Sequence, residues 1–489
     1  MVEDYAAEGK SIARVDGKVV FIERVVPGDV VDIRLFKSKK DWAEGYPLQF
    51  HSLSKERTEP FCQHFGVCGG CQWQMLPYEK QLFYKRQQVE ENLKRIGKIG
   101  LPEVPAVLGA DETKWYRNKL EYTFSSKRFI PAPFFPVTIG TPEGEILHPH
   151  KTPTDENSFL NEGFKNSEDS KIPHWAGGGA GFHAKGMFDK IVEIEKCWLQ
   201  AEPTNAIRKA LTDFARKNNY SFYDYKQHTG FMRSVLLRIC TTGQVMVNVV
   251  MGEDDEMKRN SLLDHLLKAV PGITTLLYTI NTKWNDSLHD LNPVIVMGSG
   301  YVTEKLEDFQ FKIGPNSFFQ TNTRQTEKLY RITREFAELT GQETVYDLYC
   351  GTGSIGIFVS KMAKRIIGVE MIAGAVKDAI ENAAINNIHH AEFFAGDVIK
   401  ICDDAFFTAQ GKPGVVITDP PRAGMHEKLV KKILEIAAPT VVYVSCNPAT
   451  QARDLRLLNE KYIVSKVQPV DMFPHTHHIE NVAQLKLRR

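Results

Sequence analysis

Over the first 57 residues, apolar and polar positions alternate in short runs. SIARVDGKVVFIERVVPGDVVDIRLF is rich in β-branched residues, with turn signals at Asp16-Gly17 and Pro27-Gly28-Asp29. That pattern predicts short strands and a hairpin, arranged as a small β-barrel of the kind often used to bind oligonucleotides. The period then changes. Leu82, Val89, Leu93 and Ile96 fall on one face at helical spacing, predicting an amphipathic helix. From about 100 to 310, strand-like and helical stretches mix. Residues 130–175 or so are rich in Pro, Gly, Ser and Asn and read as a surface insertion. From about 311, strands and helices alternate: TVYDLYCGTG, RIIGVE, EFFAGD, GVVITDPPRAG and VVYVSC each lead into a helical stretch. This predicts an open, largely parallel α/β sheet and a division into 1–57, 58–310 and 311–489.

Size and composition narrow the picture. A chain of 489 residues exceeds one core, and 42% hydrophobic with 25% charged residues is a soluble globular composition. No apolar run is long enough for a membrane helix, and the polar start MVEDYAAEGK is no secretory signal, so a cytoplasmic protein is expected. Net charge is +1, so nucleic-acid binding would need local patches. The candidates are Lys37, Lys39 and Lys40, and Lys80, Lys85, Arg86, Lys94 and Arg95 on the predicted helix; a solvated helix face explains the second group equally well. Eight cysteines in an intracellular chain imply thiol or metal chemistry rather than a disulfide framework.

The strongest chemical signal is Gly351-Thr-Gly353-Ser-Ile-Gly356 between a strand and a helix, with Glu370 ending the next strand. Such glycines let a backbone approach a ligand, and such an acid receives ribose hydroxyls. NAD and S-adenosylmethionine both satisfy this arrangement. Asp419-Pro420-Pro421-Arg422 at another strand end is poor dehydrogenase grammar; it is similar to the substrate-side motif of S-adenosylmethionine-dependent methyltransferases, and also reads as a helix-starting turn. Cys446 stands where the strand VVYVS runs out, before Asn447-Pro448. Cys350, beside the glycines, reads as packing. Cys62-x5-Cys68-x2-Cys71 implies a metal site lacking one thiolate. Zinc and [4Fe–4S] both use four.

Taken together, DLYCGTG at 347–353, DPPRAG at 419–424, SCNP at 445–448, HHIENVAQL at 477–485, FFQTN at 318–322 and the three early cysteines are specific. The chain resembles the RNA uracil-C5 methyltransferases of the RlmD/RumA type, which act on large-subunit ribosomal RNA and have TrmA-type tRNA relatives. The resemblance implies a class I S-adenosylmethionine-dependent methyltransferase domain (a Rossmann-like α/β sheet), an OB-like TRAM β-barrel in front, and an α+β central iron–sulfur domain.

The resemblance makes Cys446 the nucleophile. C5 of uracil is too poor a nucleophile to take a methyl group from a sulfonium, and a thiolate adding at C6 makes it enolate-like. Glu480 is implied as the general base that removes the C5 proton. Gln320, Tyr349, Gly351, Gly353, Glu370 and Asp419 are implied as S-adenosylmethionine contacts. Ser354 stands where close relatives can carry Asn, and a hydroxyl can serve there too. Asp397 is placed to meet the adenine, or is a plain turn residue. Cys197 becomes the fourth ligand, with Cys62, Cys68 and Cys71, of a [4Fe–4S] cluster with a structural role. The implied partner is RNA, 23S rRNA first, with no DNA or membrane partner and a monomeric chain. A tRNA substrate, an amino-group methyltransferase that needs no thiol, and a non-catalytic RNA-binding assembly factor are the alternatives.

Overall fold

The computed structural model describes residues 1–129 and 178–488; the predicted insertion at 130–175 lies outside the described residues. At the N-terminus five strands form one sheet in the order Asp4–Tyr5, Ser11–Val15, Lys18–Ile22, Trp42–Ser52, Val30–Ser38. Val2 donates to the Asp29 carbonyl and accepts from the Gly28 amide, which draws the two ends of the sheet together. Alternate residues Ala13, Val20, Ile22 and Ala43 point into a small core with Val2 and Val25, the period-2 burial of a sheet with one wet face.

The helix after the cysteine segment runs over Tyr78–Asn92 and ends in a wider turn, Leu93–Gly97. Its buried face includes the one the apolar spacing predicts: Val89 and Leu93 are buried, and Leu82 and Ile96, half-buried, pack against the same apolar cluster. Gln81, Tyr84 and Lys85 are buried as well, which the spacing does not predict. Lys85, expected on a solvated basic face, is fully buried and its Nζ lies 2.6 Å from Asp471 Oδ1. The charge is inside because its partner is there too, the condition for burying a lysine at all.

A seven-stranded sheet fills the middle of the chain, in the order Val294–Met297, Thr275–Ile280, Val245–Met251, Met232–Ile239, Lys119–Ser125, Gly179–His183, Ile191–Glu193. Helices Thr204–Lys217 and Glu256–Ala269 supply Ile207, Leu211, Leu262 and Leu266 to its core.

The C-terminal sheet has the order Ala391–Ala395, Arg365–Glu370, Thr344–Leu348, Val415–Thr418, Thr440–Ser445, Glu480–Leu487, Tyr462–Val470. The first five strands are parallel, and Glu480–Leu487 runs antiparallel to both neighbours. Runs such as VVYVS are buried throughout, as parallel strands covered on both faces must be. Two apolar clusters supply the cover, one around Phe309, Leu329 and Phe358, the other around Leu429, Ile433 and Leu455. Strand order reverses between Thr344–Leu348 and Val415–Thr418. That switch point opens a crevice at the carboxyl ends of the strands, where open α/β sheets bind ligands. No helix among the described residues is long and apolar enough to cross a membrane.

Candidate active site

Sheet register sets the site. Ser445 pairs with Asn481 across the antiparallel strands, so the next step along each chain places Cys446 and Glu480 at the same edge. Thr418 pairs with Leu348 and with Tyr443, bringing Asp419 to that edge between them. Tyr349, Gly351 and Glu370 follow from the adjacent strand ends. Residues scattered from 349 to 480 therefore meet because parallel strands all end on one side.

The glycine-rich turn needs its glycines. Gly351 and Gly353 have φ of +54° and +77°, and a Cβ at Gly353 would press on Ala379 and Phe393 at 3.0 and 3.1 Å. At Gly351 a Cβ would meet nothing within 4 Å, so the space beside the backbone there is open. Glu370 spans the turn: Oε2 accepts from the Gly351 amide at 3.2 Å and Oε1 from Ile372 N at 2.9 Å. Ser354 Oγ lies 2.8 Å from the buried Tyr330 hydroxyl. Asp397 caps the short helix Val398–Ile401 through Oδ1, 2.9 Å from Ile399 N. Burial pushes the Tyr349 phenol up to about 12, with Asp397 adding to the rise.

The FFQTN stretch is held by Asn118, directly before the central-sheet strand Lys119–Ser125. Asn118 Nδ2 donates to the Gln320 carbonyl and to Thr323 Oγ1, both at 2.9 Å, and Asn118 N donates to the Thr321 carbonyl at 2.7 Å. Asn322 caps the following helix, Thr323–Ala337. Phe319 is buried while Phe318 is exposed beside it.

The crevice concentrates acid. Asp347 is fully buried, and its Oδ2 accepts from Gly356 N at 2.8 Å. Burial pushes its carboxyl up to about 7, with Asp419 and Glu370 adding to the rise. Glu480 is buried and its proton affinity is raised, by burial first and then by Asp419, while Arg422 opposes. Asp419 is only half-buried by exposed area, yet it too is raised, because its carboxyl is packed away from water among those acids. Cys446 is half-buried and its thiol is pushed up to about 11 by burial, Glu480 and Asp419, with Arg422 pulling the other way. The resting group is a thiol, and Arg422 is the cation that favours its ionisation.

The loop carrying Cys446 is tied to the one carrying Asp419. Asn447 caps the helix Pro448–Leu458 through Oδ1, and its Nδ2 donates to the Arg422 carbonyl at 3.1 Å. Thr450 Oγ1 donates to the same carbonyl at 3.2 Å. Tyr443 and Met425 both donate to Asp454 Oδ2 at 2.8 Å beneath these loops.

A second cavity, of about 240 Å³, is lined by Cys62, Cys68, Cys71 and Cys197 together with Leu120, Phe182 and Ile194. Glu195 N donates to His64 Nε2 at 2.9 Å, and Gln63 Nε2 donates to Glu195 Oε2 at 2.6 Å; these bonds fasten Cys197's segment to the early cysteine loop. Burial, reinforced by the neighbouring thiols, pushes Cys68 and Cys71 up to about 12. Among the described residues, no group of three or more His, Cys, Asp or Glu side chains is set as a metal-ion site would be.

Of the residues singled out in the sequence, Tyr349, Gly351, Gly353, Ser354, Glu370, Asp397, Asp419, Cys446 and Glu480 lie at or just beyond the strand ends on one side of the C-terminal sheet, Gln320 is held through its carbonyl by Asn118, and the four cysteines share the other cavity. Asn118, Tyr330, Asp347, Arg422 and His478 were not singled out. For Arg422 and His478 the signal was present, inside DPPRAG and HHIENV, but nothing in the sequence shows that the two meet.

A family profile described as tRNA (uracil-5-)-methyltransferase matches residues 291–488, and a TRAM-domain profile matches residues 1–48. An uncharacterized RNA methyltransferase of Bacteroides thetaiotaomicron is 48% identical over 99% of this chain and 100% of its own. Another, of Porphyromonas gingivalis, is 44% identical over 99% of this chain and 98% of its own. The crystal structure of Pyrococcus abyssi tRNA (uracil-54, C5)-methyltransferase in complex with S-adenosyl-L-homocysteine superimposes with a TM-score of 0.71 at 26% identity, covering 99% of each chain.

Proposed function

The chain belongs to the RNA methyltransferases that join a TRAM domain to a uracil-5-methyltransferase domain, and from that membership we propose that it methylates C5 of a uridine through a covalent bond from Cys446 to C6. The observation that carries the reading is the meeting of Cys446, Glu480, Asp419 and Arg422 at the switch-point crevice.

S-adenosylmethionine supplies the methyl sulfonium when bound. The bare Gly351 backbone, Glu370 at the turn and Asn118-braced Gln320 suit a nucleoside of that kind. The chain's own residues do the rest. Cys446 loses its proton to solvent water beside Arg422, and the resulting thiolate Sγ bonds to C6, moving the C5–C6 π electrons through C4 onto O4 and making C5 nucleophilic. After C5 takes the methyl group, Glu480 removes the C5 proton; the C5–C6 double bond re-forms and the C6–S bond breaks, returning the thiolate. A carboxylate whose proton affinity is raised toward neutrality is a better base for that step than an exposed one.

Cys62, Cys68, Cys71 and Cys197 would hold a [4Fe–4S] cluster. The donor chemistry suits it: one buried and three half-buried cysteines line a single cavity, and four thiolates are what such a cluster takes, although the side chains would have to turn toward one another to bind it. Its role is structural in this reading. RNA would reach the site along a groove of about 430 Å³ lined by Lys10 and Arg24 beside the N-terminal strands, Lys185, Arg422, His477 and His478, together with Glu8 and Glu23, which pairs with Lys185. That assigns residues 1–57 to RNA binding, 58–310 to the central cluster-bearing part and 311–489 to catalysis. The target uridine must be in a loop or flipped from its stack.

The first acceptor proposed is 23S rRNA. A second reading, tRNA, is favoured by the likeness to the Pyrococcus enzyme. Tritium release from 23S and tRNA transcripts labelled at uridine C5 tests both. Release is expected with wild type and is abolished in Cys446→Ala, and the transcript that yields it identifies the RNA. Methyl incorporation without tritium release, by both proteins, would refute C5 transfer.

A further inference from the structure

We infer that His478 is a positioning residue for the transfer site: its imidazole lies against the Arg422 guanidinium and holds that cation beside Cys446 and Glu480. The inference rests on the reading of Cys446 as the nucleophile.

The contact has an unusual geometry. Arg422 Nη2 is 3.2 Å from His478 Nδ1 and 3.3 Å from Nε2. A nitrogen almost equidistant from both cannot lie in the ring plane without striking Cε1, so it lies over the ring face. This is a cation–aromatic contact, and it is attractive only while the ring is neutral. The surroundings keep it neutral: burial first, then His477, Arg422, Lys85 and Arg117, push the His478 proton affinity down to about 3.

A ring suits the task better than a carboxylate. Glu or Asp at 478 would hold Arg422 more strongly but cancel its charge. Cys446 faces Glu480, Asp419 and Arg422. With Arg422 neutralised, only acids would act on the thiol, and each opposes its ionisation. A neutral ring fixes the guanidinium and leaves its field intact.

Both ends of the bridge are anchored. The Arg422 carbonyl is held by Asn447 and Thr450, from the loop that carries Cys446. His478 N donates to Thr476 Oγ1 at 3.2 Å, Thr476 Oγ1 donates to the Phe473 carbonyl at 2.8 Å, and the His477 ring lies 4.1 Å from that of His478. Arg422 is itself an exposed residue, so without the ring its long side chain would be free to leave the site. The contact also links the Asp419 loop, to which the Cys446 loop is tied, to the segment that leads into Glu480.

The test is the pH profile of iodoacetamide modification at Cys446, followed by the mass of its peptide in the full-length protein. Wild type and His478→Phe, which keeps a flat aromatic face, are expected to share one midpoint. His478→Ala and His478→Glu are expected to move it upward, slowing modification below the midpoint by at least about threefold, the scale of one partly screened charge. Arg422→Ala should give the same shift and abolish any further effect of His478→Ala. A wild-type midpoint in His478→Ala, or an undiminished effect of His478→Ala in the Arg422→Ala background, would overturn the inference. Tritium release by the same wild-type preparation tests the reaction separately. No release with the His478 dependence intact refutes the transfer reaction alone, and release without that dependence refutes the positioning role alone.

Discussion

At the scale of single residues, the site is defined by acids that hold protons longer than usual. Asp347 gives the clearest consequence. Its carboxyl has an ordinary value of 3.8 and is pushed up to about 7 in the folded chain. Between those values the folded state keeps a proton that the unfolded state has lost, so stability falls as pH rises through that window. Asp347→Asn cannot ionise, and its amide oxygen can still accept from Gly356. The expected outcome is a flatter dependence of the urea midpoint between pH 5 and pH 8, with the wild type losing on the order of a few kcal/mol across that range. Equal slopes would contradict the assignment. Cys446 drew notice in the sequence because it stands where an apolar strand runs out, whereas Glu480 was singled out only through the family resemblance; the register that sets them side by side belongs to the sheet. The pairing of Arg422 with His478 was not legible, since a contact over 56 residues of separation depends on where two loops end.

At the scale of elements, the segment Asp471–Ile479 joins the site to the rest of the molecule. The carbonyl of His475 accepts from Gln72 and Trp73, the His477 ring donates to Gln72, and Gly9, in the short helical turn between the first two N-terminal strands, packs on His477 so closely that a Cβ would lie 2.9 Å from it. The segment starts at Asp471, where Lys85, Tyr78 and Phe473 N converge. Lys85→Met leaves a buried carboxylate without its cation and is expected to cost about 3–5 kcal/mol. Lys85→Met with Asp471→Asn removes both charges and should recover much of that loss in urea unfolding. A double variant no more stable than the single one would show that the pair does not act as a unit. The helix containing Lys85 and its apolar inner face were legible in the spacing, but the burial of Lys85 beside that face was not. Apolar periodicity cannot report a buried ion pair, because the partner lies 386 residues away.

At the scale of the whole molecule, the strand–helix alternation after residue 311 and the short β-rich start were legible as a parallel sheet and a small separate sheet. The central seven-stranded sheet was seen only as mixed structure, since its strands are interleaved with helices and with a long segment of loop composition. The groove from Lys10 and Arg24 to Arg422 and His478 was invisible in the sequence, because its walls come from both ends of the chain. In the proposed reaction the Cys446 thiol bonds to C6 of a uridine delivered along this groove. The most direct measurement incubates the protein and S-adenosylmethionine with 23S and tRNA transcripts that carry 5-fluorouridine. Fluorine at C5 cannot leave as the proton does, so elimination fails and the adduct persists. A protein–RNA band that survives denaturing electrophoresis, formed by wild type and absent in Cys446→Ala, is the predicted result. The same band from Cys446→Ala, or uridine C5 methylation by wild type with no trapped band, would contradict it.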